Sequence, residues 1–187
     1  MFKALEDNAS LSGFTSRGGW NSMIRLATKR DLNTIVRIAN KTIEVMNAEG
    51  SNQWDDTYPT GDHFTEDIKH SSLFIYENAG TVLGFISADQ NLANEYDNLK
   101  WNLPNDQCGT FHRLTVDADH RNSNIASMLI TFVEEYFKEL GLSGMKIDTY
   151  SINEKAERLF TRLGYQKVGE YYMEERTLPF FGFEKRL

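Results

Sequence analysis

The chain has 187 residues, which suits one compact domain, and its 40% apolar and 12% aromatic content can fill a core. The formal net charge of −7 argues against a nucleic-acid partner, because a protein neutralises phosphates with a basic face. The negative charge suits a cationic ligand; the alternative is that it only keeps the protein in solution. No apolar run is long enough to span a membrane, and the first residues show no signal-peptide pattern. Cys108 is the single cysteine, so no disulfide framework is possible. We therefore expect a soluble cytoplasmic protein without a membrane partner.

The first 22 residues form a polar segment rich in glycine and serine, with no sustained period of 2 or 3.6. An organised pattern begins at Met23. We therefore expect residues 1–22 to be an N-terminal extension or leader that adds little to the core, and residues 23–187 to form one domain.

The first half of that domain alternates strands and helices. The run "MIRLAT" predicts a strand, and Asp31 is expected to cap a helix whose apolar residues recur at helical spacing. The turn-rich loop "NAEGSNQWDDTYPTGD" leads to a short helix around His63 to His70, and "SLFIYENAGTVLGFISAD" is typical of a β-hairpin. The polar insertion from Gln90 to Gln107 is too long for an ordinary connection, so we expect it to be functional or mobile.

The second half begins with the strand "GTFHRLTVDAD". A helix from Asn124 to Leu140 follows, then the strand "MKIDTY", a helix with a Ser151/Glu154 capping box, and two closing strands. Gly141 and Gly164 stand where C-terminal caps belong. The element order predicts an α/β domain with a mixed, mostly antiparallel sheet of six to seven strands flanked by about four helices.

The stretch "HRNSNIASML" joins the central strand to the third helix. The first N–H groups of a helix have no internal partner and attract anions, and Arg121 adds a full charge beside them. An ordinary capped helix is the alternative interpretation. Phosphate loops usually contain glycine; here Asn122 and Asn124 are the most tolerant replacements, so we expect a glycine-like, left-handed backbone at Asn124 and a close approach at Ala126.

Two motifs in this order resemble the GNAT N-acetyltransferase superfamily. The run "LTVDADHRNSNIASML" resembles the family's acetyl-CoA motif, with Arg121 and Ala126 in place and Asn124 replacing its first glycine. Downstream, "NEKAERLFTRLGY" resembles the second motif. The resemblance covers about residues 23–187 and implies an acetyltransferase domain with splayed central strands, "FHRLTV" and "MKIDTY".

The resemblance also implies which residues bind acetyl-CoA, which would serve as a co-substrate. Leu114, Thr115 and Val116 would offer backbone groups to the pantetheine arm. The pyrophosphate would lie in a cradle formed by Arg121, Asn122, Ser123, Asn124, Ile125, Ala126 and Ser127. Asn153 and Phe160 on the later helix would also contact the cofactor, although Asn153 has a simpler role as a helix cap.

The family's usual chemistry is direct attack by an amine in a ternary complex, and the backbone N–H of Val116 would polarise the carbonyl. His112 is the leading candidate for the general base, with Glu44, Asp148 and a water chain as alternatives; a hydrogen-bonded core histidine is the other interpretation. Many members carry a tyrosine where this chain has Phe160. The general acid would then be Tyr150, Tyr165 or water.

The loop "GSNQWDDTYP" lies where the family builds its acceptor pocket. Gln53, Trp54 and Tyr58 are expected to line it, although Trp54 would equally serve to pack the loop on the core. The spacing of the other histidines does not suit a metal site. We therefore expect no metal, a small-molecule or peptide primary amine as acceptor, and leave a homodimer open. The alternative function is an acyl-CoA-binding module that has lost catalysis.

Overall fold

The structure, a computed structural model, describes residues 16–17, 22–121, 123–174 and 176–187. One sheet contains all the strands that it describes, in the order β1-β2-β3-β4-β5-β6-β8-β7. The strands are β1 Ser16–Arg17, β2 Ser22–Leu26, β3 Leu73–Asn78, β4 Thr81–Asp89, β5 Cys108–Val116, β6 Gly144–Tyr150, β7 Gln166–Tyr171 and β8 Phe180–Arg186. The helices are α1 Leu32–Ala48, α2 Gly61–Lys69, α3 Ile125–Glu139 and α4 Glu154–Arg162.

The sheet is mixed and mostly antiparallel, as the sequence predicts, and β5–β6 is its parallel pair. Seven strands of the described residues match the predicted sheet of six to seven, and an eighth, the two-residue β1, pairs with β2 from within the segment expected to be a leader. The other residues of 1–21 lie outside the described part of the chain, so their role stays a prediction.

Successive side chains of a strand point to opposite faces of the sheet, so a strand that is apolar throughout needs cover on both faces. Helices supply that cover. On β3, Phe74 and Tyr76 join a core cluster with the buried face of α3, whereas Leu73 and Ile75 join a second cluster with α1 and α2. Two buried layers therefore hold β3–β5 between helices and fix the geometry of the strands in the centre. No helix in the described residues is long and apolar enough to cross a membrane.

Strands β5 and β6 pair only at their first residues, Cys108 with Gly144 and Gly109 with Met145. Beyond that point β5 carries a bulge: its register with β4 shifts between Phe85 and Ser87. A bulge bends its strand and increases the local twist. The two strands therefore diverge, as the resemblance predicts, and open a cleft in the middle of the sheet.

The insertion between β4 and β5 is held by two buried charged groups. The Glu184 carboxylate accepts hydrogen bonds from the backbone N–H groups of Asn102 and Leu103, at 3.1 and 2.9 Å. The Lys146 ammonium donates to the carbonyl of Leu103 and the side chain of Asn105, each at 2.6 Å. Buried charges are tolerated only when they are paired or hydrogen-bonded. The insertion is therefore held against β6 and β8 by buried hydrogen bonds, and its functional role stays a prediction.

Of two predicted helix caps, one is wrong and the other is confirmed in its position only. Helix α4 begins at Glu154, so its capping residue is Asn153, whose side chain accepts from the N–H of Ala156 at 3.2 Å, and no Ser151/Glu154 capping box forms. Asp31 stands at the start of α1 as predicted, but its carboxylate binds Arg25 and the N–H of Thr28 instead of the helix.

Candidate active site

A cleft of about 380 Å³ opens where β5 and β6 diverge. Its walls come from α1, the α1–α2 loop, the insertion, β5, β6, the start of α4 and the β7–β8 loop. Three of the sequence elements singled out for function, namely the acceptor loop, the central strand and the second family motif, therefore meet at one place.

His112 on β5 lines this cleft. Its Nε2 lies 3.3 Å from Oδ2 of Asp89, and the two side chains are 30% and 21% exposed. This contact is longer than a strong charge-assisted hydrogen bond, and Nε2 is a buried atom without a hydrogen bond to any described residue. Burial acts to raise the pKa of Asp89, but His112 and the N–H of Asn91 outweigh it, and the pKa lies below its usual value. Asp89 is therefore held as an anion beside the imidazole ring.

Asp148 on β6 lines the same cleft. Its Oδ2 accepts hydrogen bonds from the hydroxyls of Tyr96 and Tyr171, at 2.8 and 2.9 Å. Tyr96 belongs to the insertion and Tyr171 to β7, so three separate elements converge on this carboxyl. Burial raises the pKa of Asp148, and the two hydroxyls and His112 only partly offset it. Its proton affinity is thus higher than that of an exposed aspartate.

The bulge of β5 is centred on Arg113, whose φ of 55° is uncommon for a residue other than glycine. The guanidinium makes an ion pair with Asp67 of α2, at 2.7 Å, and both side chains are about nine-tenths buried. It also donates to the hydroxyl of Tyr58 at 2.8 Å. These bonds hold the strained residue in place and tie β5 to α2 and to the acceptor loop.

The three predicted acceptor residues, Gln53, Trp54 and Tyr58, all line the cleft. Trp54 is only 8% exposed, so it packs the loop onto the core and also forms part of the wall. Arg176, which also lines the cleft, donates to the backbone carbonyls of Asn52 and Gln53 and so holds the loop. Trp54 therefore packs the loop, and its contact with an acceptor stays a prediction.

The start of α3 has the features of an anion site but not the backbone that the sequence suggests. Asn124 is the N-cap with φ −78°, so the expected left-handed conformation is wrong: a negative φ suits any residue, and no glycine is required there. Asn124 makes no side-chain cap, and Ser123 donates to the carbonyl of His120 instead. No described side chain therefore satisfies the first N–H groups of α3.

The other predicted cradle residues surround this helix start. Arg121 is half-buried. Lys155, which is paired with the Glu49 carboxylate, lowers the pKa of that group, and the charge of Arg121 helps to lower it. Ile125 is 5% exposed and Ser127 8%, so both can present backbone rather than side-chain groups to a ligand. Ala126 is partly exposed in the first turn. Asn122 lies outside the described residues.

Some of the residues predicted to contact the cofactor from β5 and α4 line the cleft, and others lie outside it. Leu114, Asn153 and Phe160 line the cleft. Thr115 and Val116 do not, and they continue β5 opposite Phe85 and Gly84 towards the start of α3. Asn153 both caps α4 and donates to the side chain of Gln53 at 3.2 Å, which links the cofactor and acceptor predictions.

The two tyrosines considered as the general acid lie outside the cleft wall. Tyr150 is 1% exposed and packs on Phe180, with ring centroids 4.9 Å apart. Tyr165 is 3% exposed, and burial raises its pKa well above the usual value. Glu44, an alternative base, is exposed on α1 and also lies outside the wall. The structure brings none of the three to the cleft.

The sequence analysis did not identify the residues whose hydrogen bonds and ion pair support the site, namely Tyr96, Tyr171, Asp67 and Arg113. The only signal for Arg113 was a charged residue in the middle of an apolar strand, which indicates a buried partner. Tyr96 lies 52 positions from Asp148, so no local pattern relates them. Among the described residues, no group of three or more His, Cys, Asp or Glu side chains is placed to hold a metal ion.

Comparison with known proteins agrees with this geometry. Residues 39–165 match the family model described as "Acetyltransferase (GNAT) family". A Mus musculus protein, "Probable N-acetyltransferase family 8 member 5", is 27% identical over 106 residues, which cover 54% of this chain and 41% of that relative. The chain thus spans about two fifths of the length of this curated relative.

Solved structures share the fold. A GNAT-family acetyltransferase from Streptococcus agalactiae superposes with a TM-score of 0.74 at 22% identity, covering 89% of this chain and 95% of that one. The Salmonella typhimurium protein yncA, solved with its cofactor acetyl-CoA, has a TM-score of 0.68 at 16% identity, covering 89% and 94%. At these identities the likeness concerns the fold alone. With the family match over most of the chain, it follows that this chain belongs to the GNAT acetyltransferase family.

Proposed function

We propose that the protein transfers an acetyl group from acetyl-CoA to the nitrogen of a primary amine, on a small molecule or a peptide N-terminus. The observation that carries this proposal is the cleft between the diverging strands β5 and β6, with His112 on one strand and Asp148 on the other. An amine must lose a proton to form an amide, and both side chains can accept one. The yncA protein supports the choice of acyl donor.

The described residues fit acetyl-CoA as co-substrate. The N–H groups at the start of α3 have no side-chain cap, and Arg121 adds a positive charge beside them, as a diphosphate requires. The free edge of β5 beyond Gly109 offers backbone groups along the cleft wall at Leu114. Asn153 and Phe160 would close the site from α4.

Acetyl-CoA supplies a thioester when it is bound, and the chain's own residues prepare the amine. The amine nitrogen attacks the carbonyl carbon directly in a ternary complex, the N–C bond forms and the C–S bond breaks. His112 receives the proton that the nitrogen loses, and Asp89 stabilises the resulting imidazolium. Backbone N–H groups of β5, with Val116 the one we propose from the sequence, polarise the carbonyl.

We propose water as the proton source for the leaving thiolate. Phe160 lies at the cleft where the family often has tyrosine, and phenylalanine has no proton to donate. Tyr150 and Tyr165 are nearly fully buried and lie outside the cleft wall. The same Phe160 favours the second candidate function, an acyl-CoA-binding module without turnover.

The test is a screen of acceptor amines with acetyl-CoA. Purified protein is mixed with acetyl-CoA and a panel of polyamines, amino acids, aminoglycosides, arylalkylamines and short peptides, and free thiol is measured against the acetyl-CoA hydrolysis blank. Amine-dependent thiol release identifies an acetyltransferase and its acceptor class. Binding of acetyl-CoA with no thiol release for any amine would favour the binding module.

Two substitutions at the start of α3 separate charge from backbone shape. Because Asn124 has φ −78° and makes no side-chain cap, Asn124→Val should keep acetyl-CoA affinity within a few-fold of wild type. Arg121→Ala should weaken it about tenfold, and the loss should shrink at high salt because a charge interaction has been removed. Calorimetric titration at two ionic strengths measures both.

The matched control for this pair is Arg30→Ala, which removes an exposed arginine at the start of α1. It should leave the affinity and its salt dependence unchanged. A large loss of affinity for Asn124→Val would show that the bound loop needs a backbone that valine resists. An Arg121→Ala affinity equal to wild type at low salt would remove Arg121 from the phosphate site.

A further inference from the structure

The Asp148 carboxylate is held by one oxygen only. The hydroxyls of both Tyr96 and Tyr171 donate to Oδ2, at 2.8 and 2.9 Å. No hydrogen bond from a described residue reaches Oδ1, and Asp148 is only partly buried. Because Asp148 lines the cleft, Oδ1 is the oxygen available to a ligand.

The two tyrosines are themselves fixed in place. Tyr96, Tyr171 and Phe180 form one buried aromatic cluster with Tyr150. Trp101 donates to the backbone carbonyl of Tyr96 at 2.7 Å, and the insertion that carries both is anchored on Lys146 and Glu184. Burial raises the pKa of both hydroxyls, so they are protonated hydrogen-bond donors in neutral solution.

Asp148 is the acidic side chain among the described residues that line the cleft. The Arg113 cation on β5 is already neutralised by Asp67, and the Arg176 guanidinium donates to the backbone carbonyls of Asn52 and Gln53. A carboxylate oxygen is an acceptor only, and its strongest partners are N–H groups that carry positive charge. Primary amines are ammonium ions in neutral solution, so they match both requirements.

We propose that Asp148 is the acceptor-binding residue of this site: its Oδ1 binds the ammonium group of the acceptor, and the insertion positions it through Tyr96. The inference rests on the proposed acetyltransferase function and names the acceptor class as a cationic primary amine. Asp148 holds and orients the ammonium group. His112 across the cleft takes one proton and passes it to water, so that the neutral amine attacks; the second proton, lost as the N–C bond forms, goes through His112 and water to the leaving thiolate. The insertion from Gln90 to Gln107 is then an acceptor-recognition element.

The first test compares an amine with its neutral analogue. Phenethylamine and 2-phenylethanol differ in the group that would meet Asp148, and each has a ring for the aromatic wall at Trp54. Calorimetric titration with CoA present should show wild type binding the amine at least about tenfold more tightly than the alcohol. Asp148→Asn keeps the shape and the acceptor for the tyrosines, and it should abolish that preference.

The second test uses pH, which a purely structural role would not affect. Charged or titratable groups that act on Asp148 are Tyr96, Tyr171, His112 and Glu95. An aspartate with a raised pKa binds a cation only above that pKa, so amine affinity should fall as pH is lowered through it. Tyr96→Phe and Tyr171→Phe each remove a bond that favours the ionised form, so in each variant the fall should move to higher pH. Tyr76→Phe, a buried tyrosine outside the cleft, should not move it.

Once the amine screen has identified an acceptor, kinetics separate this role from that of His112. Asp148→Asn should raise KM for the amine at least about tenfold and leave the affinity for acetyl-CoA unchanged. Equal binding of phenethylamine and 2-phenylethanol to wild type, no binding of either, or a preference that survives Asp148→Asn would each overturn the inference. The proposed function fails separately, when no amine of the panel releases thiol.

Discussion

His112→Gln should lower kcat by about 10²–10⁴-fold, the usual contribution of a positioned general base. His112 lines the cleft, and the Asp89 carboxylate 3.3 Å from its Nε2 stabilises the protonated ring that forms when the amine loses its proton. Glutamine retains polarity and much of the volume but cannot take the proton. Because the step affected is chemistry, acetyl-CoA affinity should stay at the wild-type value. Steady-state kinetics at saturating amine, with calorimetry for acetyl-CoA, measure the two quantities.

Two further variants make the result specific to that pair. His70→Gln, at a histidine that is 68% exposed on the far end of α2, should leave kcat unchanged. Asp89→Asn keeps the imidazole but removes the anion, and it should lower kcat by less than the His112 change does. A kcat for His112→Gln within a few-fold of wild type would mean that a water chain or Asp148 carries the proton.

Asp67→Ala should destabilise the folded protein by about 3–5 kcal/mol, since it leaves the buried Arg113 guanidinium without its anion. For a chain of this size, that loss corresponds to a fall in Tm of roughly 6–20 °C. The effect is large because Arg113 is the residue at φ 55° in the bulge, and Asp67 helps to keep it there. Thermal unfolding without ligand measures it.

The matched control for this ion pair is Glu154→Ala. Glu154 pairs with Arg158 at 2.9 Å on the surface of α4, and both side chains are about two-thirds exposed. An exposed pair of this kind contributes little, so Tm should change by no more than about 2 °C. If Asp67→Ala unfolds within that same range, the buried pair does not hold the bulge.

Local sequence patterns were enough to predict most of the fold. The two β-rich runs of β3 and β4 and the helical spacing on α1 and α3 predicted elements that the structure has, and the apolar residues of both helices lie in the core. Gly141 and Gly164 indicated the helix ends because both require positive φ, and they have 84° and 89°. Local patterns succeed here because each is determined by neighbours within one helical turn or one strand.

The candidate site was predictable only in part, because its decisive contacts join distant positions. His112, Trp54 and Asn153 were found from residue type and motif order, and they do meet in the cleft. The bonds from Tyr96 and Tyr171 to Asp148 cross 52 and 23 positions, and no periodic pattern encodes them. The prediction for Asn124 was wrong because it assumed that the loop keeps the left-handed backbone for which other phosphate loops use glycine. The helix instead begins at Asn124 with an ordinary negative φ.

The central claim is that acetyl groups move from acetyl-CoA to an amine in the cleft, and an isotope label tests it most directly. The protein is incubated with acetyl-CoA that carries a trideuterated acetyl group and with the best amine from the screen, and the products are analysed by mass spectrometry. We predict an N-acetyl amine that carries the intact label, formed one-for-one with free CoA thiol and much reduced in His112→Gln. A label that stays on CoA or appears only in acetate, while acetyl-CoA still binds, would contradict the account.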